Sequence, residues 1–338
     1  MTPAAISQPL TNAPAIEPAA RPLYWLIAAI WAVLLGGGYA TGLTIHPDFL
    51  VLLIPVCFLQ ATGITLKQRG LRAIATAIEC GTIIAVASFS FVLLSFLLSR
   101  LGAPYADPLL DAAERMLFPG FDWPSAVQAF CRSGLLLRFA NFAYDSLWWQ
   151  MILLIGLLCA TGKCAGCWDF ALAWAISLSA TLAVFAVAPS LDAYAFHHVS
   201  HAMVSGVAND GAWRSPTMLE HLRHAGSVTI RPQDMLGIVE FPSFHTASAV
   251  LLAWGYWTLR PARLVAVPLN FGVIVAAVPI GGHYLPDILG GIIVAMLGIA
   301  AMRAWRRLQS GNFEQGGTIL GVAVEAPLGT ALPSSFTG

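Results

Sequence analysis

The sequence predicts an all-α protein, a polytopic transmembrane helical bundle of about eight spans. Three observations carry that prediction. Of 338 residues, 58% are hydrophobic and only 10% are charged, whereas soluble domains carry about 25% charged residues. The charges gather between long apolar runs instead of spreading evenly along the chain. A charge at the bilayer centre costs roughly 2.5–3.5 kcal/mol, so only the clustered arrangement permits insertion. The runs themselves approach the ~20 residues that a bilayer core requires. A soluble enzyme, a disulfide scaffold and a disordered chain are excluded.

The elements follow in order. Residues 1–20 are rich in Ala, Pro, Thr and Ser, lack periodicity, and read as a disordered tail. The run from Leu23 to about Leu43 is longer than the 7–15 residues of a signal-peptide core, so it reads as a retained helix. Further spans are expected at about 49–66, 73–98, 146–162, 168–188, 244–259, 264–281 and 285–304, and the Gly-rich stretch 309–338 reads as a loose tail. Two long connections remain, about 99–145 and 189–243. In the first, Pro108 opens a stretch in which Leu109, Leu110, Ala113, Met116 and Leu117 share one helical face. It suits either a helix lying in the membrane interface or a loop helix packed on the spans.

Lys and Arg set the orientation. Arg21, Lys67, Arg69, Arg72, Lys163, Arg260, Arg263, Arg303, Arg306 and Arg307 fall on one side, in short connections or at span ends. The other side holds Arg100, Arg115, Arg132, Arg138, Arg214, Arg223 and Arg231, all in the two long loops, where the bias counts weakly. The first side is expected to be cytoplasmic, with both termini inside an inner (cell) membrane and the long loops outside. A net charge of zero, with no basic run to follow a phosphodiester backbone, argues against nucleic acid as a partner.

Two outward segments concentrate chemistry. In Phe241-Pro242-Ser243-Phe244-His245, Ser243 is a candidate N-cap and His245 lies in the first turn, where free backbone N–H groups favour an anion. In Gly281-Gly282-His283-Tyr284-Leu285-Pro286-Asp287, the four-residue spacing places His283 and Asp287 on one helical face. A carboxylate on one ring nitrogen fixes the tautomer and makes the other a better nucleophile or base.

These segments resemble the second and third signature motifs of the type 2 phosphatidic acid phosphatase superfamily. Its P-S-x-H is matched by Pro242, Ser243, Phe244 and His245, and its H-x-x-x-D by His283 and Asp287. The forms are most like those of the inositol phosphorylceramide synthase and inositolphosphotransferase branch. The resemblance covers roughly 73–304. It implies two extra helices (21–72) before a six-helix core (73–308). It also implies a metal-independent phosphatase or phosphotransferase with no cofactor, acting on a phospholipid or other lipid-linked phosphate at the outer face. His283, oriented by Asp287, would attack phosphorus to form a phosphohistidine, and His245 would protonate the leaving alkoxide. Ser243 and Gly282 are candidate phosphate contacts.

The match is incomplete. Where the third motif usually carries an arginine six residues before the histidine, this chain has Ala277. The first motif has only a partial echo, His224 to Arg231-Pro232, too close to Pro242 to occupy the same place. Arg223 and Arg231 are the nearest candidates in sequence for the missing cation.

Other polar residues read as structural. His197, His198, His201, His221 and His224 lack a zinc-site signature, and Cys164-Ala-Gly-Cys167 is a lone pair where a structural zinc needs four ligands. The six cysteines fall mostly in or beside apolar runs and form no disulfide framework. Two other functions stay open: an inositolphosphotransferase passing a phosphohead group to an alcohol, and a transporter. The oligomeric state is not encoded.

Overall fold

In the computed structural model, residues 18–319 are described, and helix dominates them. The helices at the expected spans are α1 (Arg21–Thr41), α2 (Phe49–Gln68), α3 (Arg72–Ser99), α7 (Leu147–Ala160), α8 (Cys164–Phe185), α11 (Phe244–Tyr256), α12 (Arg260–Gly281) and α13 (Leu285–Ile319). The first long connection forms α4 (Asp107–Leu117), α5 (Trp123–Cys131) and α6 (Gly134–Asp145). The second forms α9 (Ala193–Phe196) and α10 (Gly211–His224). Among the described residues, six helices are long and apolar enough to cross a membrane, and α6 with α7 makes a seventh candidate bent by 52°. This is an all-α, multi-pass membrane bundle.

Every expected span appears as a helix, but two are shorter than their apolar runs. The run 244–259 yields a 13-residue helix and 146–162 a 14-residue one. α13 continues past Leu308 to Ile319, into the stretch that the sequence suggests is a loose tail, because a nucleated helix propagates at little cost. The expected N-terminal tail 1–20 lies outside the described residues apart from the turn Pro18–Ala20, and residues 320–338 lie outside them too.

The main core joins α3, α7, α8, α11, α12 and α13, and α1 and α2 pack chiefly on α3. Buried amides and hydroxyls tie these helices together where no water can. Asn270 donates to the Gln150 side chain at 2.7 Å, and Tyr256 Oη to the Gln150 carbonyl at 2.7 Å. Ser177 Oγ donates to the Val294 carbonyl at 3.1 Å, from α8 to α13. Hydropathy gave no hint of one contact: β1 (Leu43–Ile45) pairs in parallel with β2 (Val228–Ile230), joining the end of α1 to the second long connection.

The amphipathic stretch at Pro108 is a helix, α4, with its acidic side turned inward. Asp107, Asp111 and Glu114 are buried, whereas Leu109, Met116 and Leu117 are exposed. Its acids serve as backbone acceptors. Asp107 accepts from Ser190 Oγ at 2.8 Å and from the Leu191 amide at 3.0 Å, and Glu114 accepts from the Leu285 amide at 2.7 Å. Glu114 thus caps the first turn of α13 from another helix, meeting a donor that has no partner within α13. A Glu114→Ala variant should lose about 1–3 kcal/mol of stability, the cost of leaving that buried donor unsatisfied, read as a lower chemical-denaturation midpoint in detergent.

Candidate functional site

A cavity of about 340 Å³ opens among α3, α6, α7, α8 and the segment before α11, and both His245 and His283 line it. Each histidine is placed by local backbone chemistry. Ser243 N-caps α11, its Oγ accepting from the Thr246 amide at 3.3 Å, which sets His245 in the first turn. α12 ends on Gly282 in the left-handed region (φ 75°), where a side chain would be strained and would press on Tyr194. That turn reverses the chain and delivers His283 just before α13. The two segments are bonded to each other, the Ser243 amide donating to the Asp287 carbonyl at 3.1 Å. Gly291, one turn further along α13, lies against the Ser243 carbonyl with no room for a side chain.

The rings of His245 and His283 have centroids 6.5 Å apart, inclined at 53°. His283 Nδ1 lies 3.3 Å from Asp287 Oδ2, which also accepts from the Tyr284 amide at 3.0 Å. The expected histidine–carboxylate pair is therefore present. His283 is nearly fully buried and Asp287 fully so. The imidazole's carbonyl side is held as well, Trp123 Nε1 donating to the His283 carbonyl at 3.0 Å. With Nδ1–H donating to a carboxylate, Nε2 carries the free lone pair of a nucleophile.

Sequence reasoning missed two side chains here. Glu240 places Oε2 3.5 Å from His283 Nδ1, so two carboxylates share one ring nitrogen. Burial pushes Glu240 up to about 7, against the pull of the His283 imidazole. Burial also holds His283 below its ordinary value, with the Glu240 carboxylate acting in the opposite direction. Tyr144 stacks on His245 at 4.2 Å between centroids, and its hydroxyl lies 3.2 Å from His245 Nδ1. When Tyr144 accepts from Nδ1–H, His245 Nε2 has a free lone pair and is a base; protonated on both nitrogens, the ring can give the Nε2 proton as an acid. Glu240 lay two residues ahead of Pro242 and could have been found by proximity to the motif. Tyr144 sits in an apolar helix and carried no signal.

The remaining expected residues are elsewhere. Ser243 is buried as a cap, and Gly282 is a turn beside the cavity-lining Gly281 and His283. Arg223 and Arg231 are not brought to the cavity. Arg223 donates to the Ala103 carbonyl and stacks 4.1 Å above the Tyr105 ring, and Arg231 is exposed with its amide bonded to Asp234. Nearness in sequence failed because α10 and β2 carry both arginines away along the loop. His197 stacks on Trp123, His201 meets the Val207 carbonyl, and His224 pairs with Glu220.

With this geometry in view, comparison with known families is decisive. The family model described as the PAP2 superfamily matches residues 110–301, more than half of the chain. The chain belongs to the PAP2 superfamily. The match runs from α4 into α13 and takes in both histidine segments, with α1 to α3 lying before it. No curated protein and no solved structure matches the chain. Membership supports a phosphoesterase activity of phosphatase type on lipid phosphates in a membrane.

The Glu240 carboxyl of this PAP2 protein makes stability depend on pH. Its proton is held more tightly folded than unfolded, so the stabilisation is full below about pH 4.5 and is lost as pH rises through about 7. Between pH 5 and 8, the wild type should lose up to about 3 kcal/mol relative to Glu240→Gln, measured as the difference between their denaturation midpoints.

Proposed function

We propose that this protein is an integral membrane lipid-phosphate phosphatase or phosphotransferase that works through a phosphohistidine on His283. The observation that carries the reading is the convergence of His245 and His283, 38 residues apart in the chain, on one cavity with ring centroids 6.5 Å apart.

The chemistry follows from the partners of each ring. His283 Nε2 attacks phosphorus while Nδ1–H stays on the Asp287 carboxylate, which stabilises the imidazolium character that develops. The N–P bond forms as the P–O bond to the lipid breaks, and His245 gives its proton to the departing oxygen. Water or an alcohol then attacks phosphorus, its proton passes to His245, and the N–P bond breaks to regenerate both rings. Tyr144 keeps the His245 ring facing the cavity throughout. Ser243 and Gly282 act by setting the two helix starts.

The distribution of Lys and Arg supports a site on the outer face of an inner membrane, with both termini cytoplasmic. Whether the acceptor is water or an alcohol such as inositol is a property of the second half-reaction, so a transferase of the inositolphosphotransferase kind uses the same first half. A transporter would need polar groups near the middle of broken helices; the titratable groups that line this cavity, Tyr144, Asp145, Glu240, His245 and His283, lie at or just outside helix ends.

Purified protein should release product from a panel of radiolabelled lipid phosphates, monoesters and diesters, and acid-labile label should collect on His283. His283→Ala should abolish turnover and labelling, and His245→Ala should slow turnover by about 10²–10⁴-fold. Vanadate should compete with substrate, and a chelator should leave the rate unchanged. Full turnover by His283→Ala would overturn the proposal. Adding myo-inositol diverts labelled product from water to inositol if an alcohol is the acceptor.

A further inference from the structure

The cavity at the two histidines has an unusual charge for a phosphate site. Two carboxylates line it, the exposed Asp145 and the buried Glu240, and among the described residues neither lysine nor arginine does. Three arginines of the long connections are engaged elsewhere. Arg100 donates to the carbonyls of Leu222, Ala225 and Gly226 at 2.7–3.0 Å, Arg223 is bonded to Ala103, and Arg214 lies 3.7 Å from Asp210. A dianionic phosphate monoester would enter beside the Asp145 charge and the Glu240 carboxyl, with no lysine or arginine on the wall to offset it.

The same wall offers what a cation requires. Tyr144, Trp148 and Trp174 line the cavity with Asp145 and Glu240, and aromatic faces beside carboxylates attract ammonium groups. A second, independent feature points to a lipid ligand. Trp174 is buried in α8, and its Nε1–H has no acceptor among the described residues. A buried donor without a partner is uncommon, and the ester carbonyl of a glycerolipid would supply one. Leu178 and Leu182 continue the wall beside it, apolar enough for acyl chains.

Resting on the function proposed above, we infer that the phosphate donor is a zwitterionic phosphodiester lipid, whose head-group ammonium sits between Asp145, Glu240 and the Tyr144 and Trp148 rings. Such a donor brings its own cation within a few bonds of phosphorus and enters without net charge. Its ammonium favours the ionised form of Glu240. The reaction balances as before: the His283 N–P bond forms, the P–O bond to diacylglycerol breaks, and the His245 proton goes to the diacylglycerol oxygen. The phosphohead group then passes to water or an alcohol, whose proton returns to His245.

The test measures diacylglycerol released by the purified full chain in detergent micelles, with water and myo-inositol both present as acceptors. Phosphatidylcholine and phosphatidylethanolamine are compared with phosphatidic acid and phosphatidylinositol. The two zwitterionic lipids should react at least about tenfold faster. Asp145→Asn should narrow that ratio several-fold, and Asp145→Lys should reverse it toward the anionic lipids. Asp145 is exposed, so both variants should fold, and the wild-type ranking is decisive if they do not. Equal or faster release from either anionic lipid overturns the inference while leaving the phosphohistidine reading intact. So does a ratio unchanged in both folded variants. No release from any of the four lipids overturns this inference, while label collecting on His283 from another lipid phosphate keeps the function proposed above.

Discussion

The buried contact between His283 and its two carboxylates is the constraint around which this end of the bundle is built. Placing an imidazole and carboxyl groups away from water is costly unless every polar atom is matched closely. Asp287 Oδ2 accepts from both His283 and the Tyr284 amide, whereas its Oδ1 is buried with no partner among the described residues. The match holds only if α13 begins within a residue or two of where it does, so its start is fixed from several directions. Gly282 turns the chain, Glu114 caps the Leu285 amide, Trp123 takes the His283 carbonyl, and the Ser243 amide takes the Asp287 carbonyl. The last of these contacts also fixes His245, since Ser243 opens the helix that carries it. One hydrogen-bonded unit therefore positions both rings.

The long connection before α7 becomes intelligible on the same grounds. α4 turns its carboxylates and Leu110 inward and Leu109, Met116 and Leu117 outward, the reverse of the charge pattern on a soluble protein. In a membrane-associated bundle, apolar side chains facing out have lipid to meet, and acids facing in have backbone amides to accept from. α5 and α6 then close over the site, bringing Trp123 under His283 and Tyr144 against His245. The PAP2 match begins inside α4, so this lid-like group of helices belongs to the matched unit along with the spans.

How much was legible in the sequence depended on the range of the interaction responsible. Hydropathy acts residue by residue, so each apolar run of the expected set became a helix. The helices α7 and α11 fell short of their runs chiefly at the ends away from the histidines, α7 stopping at Ala160 and α11 at Tyr256. The four-residue spacing of His283 and Asp287 was local and held. The β1–β2 pair joins residues almost two hundred positions apart through backbone bonds, which leave no trace in composition. Arg223 and Arg231 were chosen by distance along the chain, but Arg223 finds a carbonyl and a ring in its own neighbourhood and Arg231 remains exposed.

The sequence by itself determined the helical, membrane-spanning class, the order of the spans and the shared helical face of His283 and Asp287, because these follow from transfer free energy and helical periodicity. Tertiary structure alone decided that His245 and His283 share a cavity, that Glu240 joins Asp287 at one ring nitrogen, and that Tyr144 and Asp145 stand on the wall. Those outcomes depend on how α6, α11 and α13 pack against one another, and packing is settled by side-chain shape and buried hydrogen bonds between segments that the linear order keeps far apart.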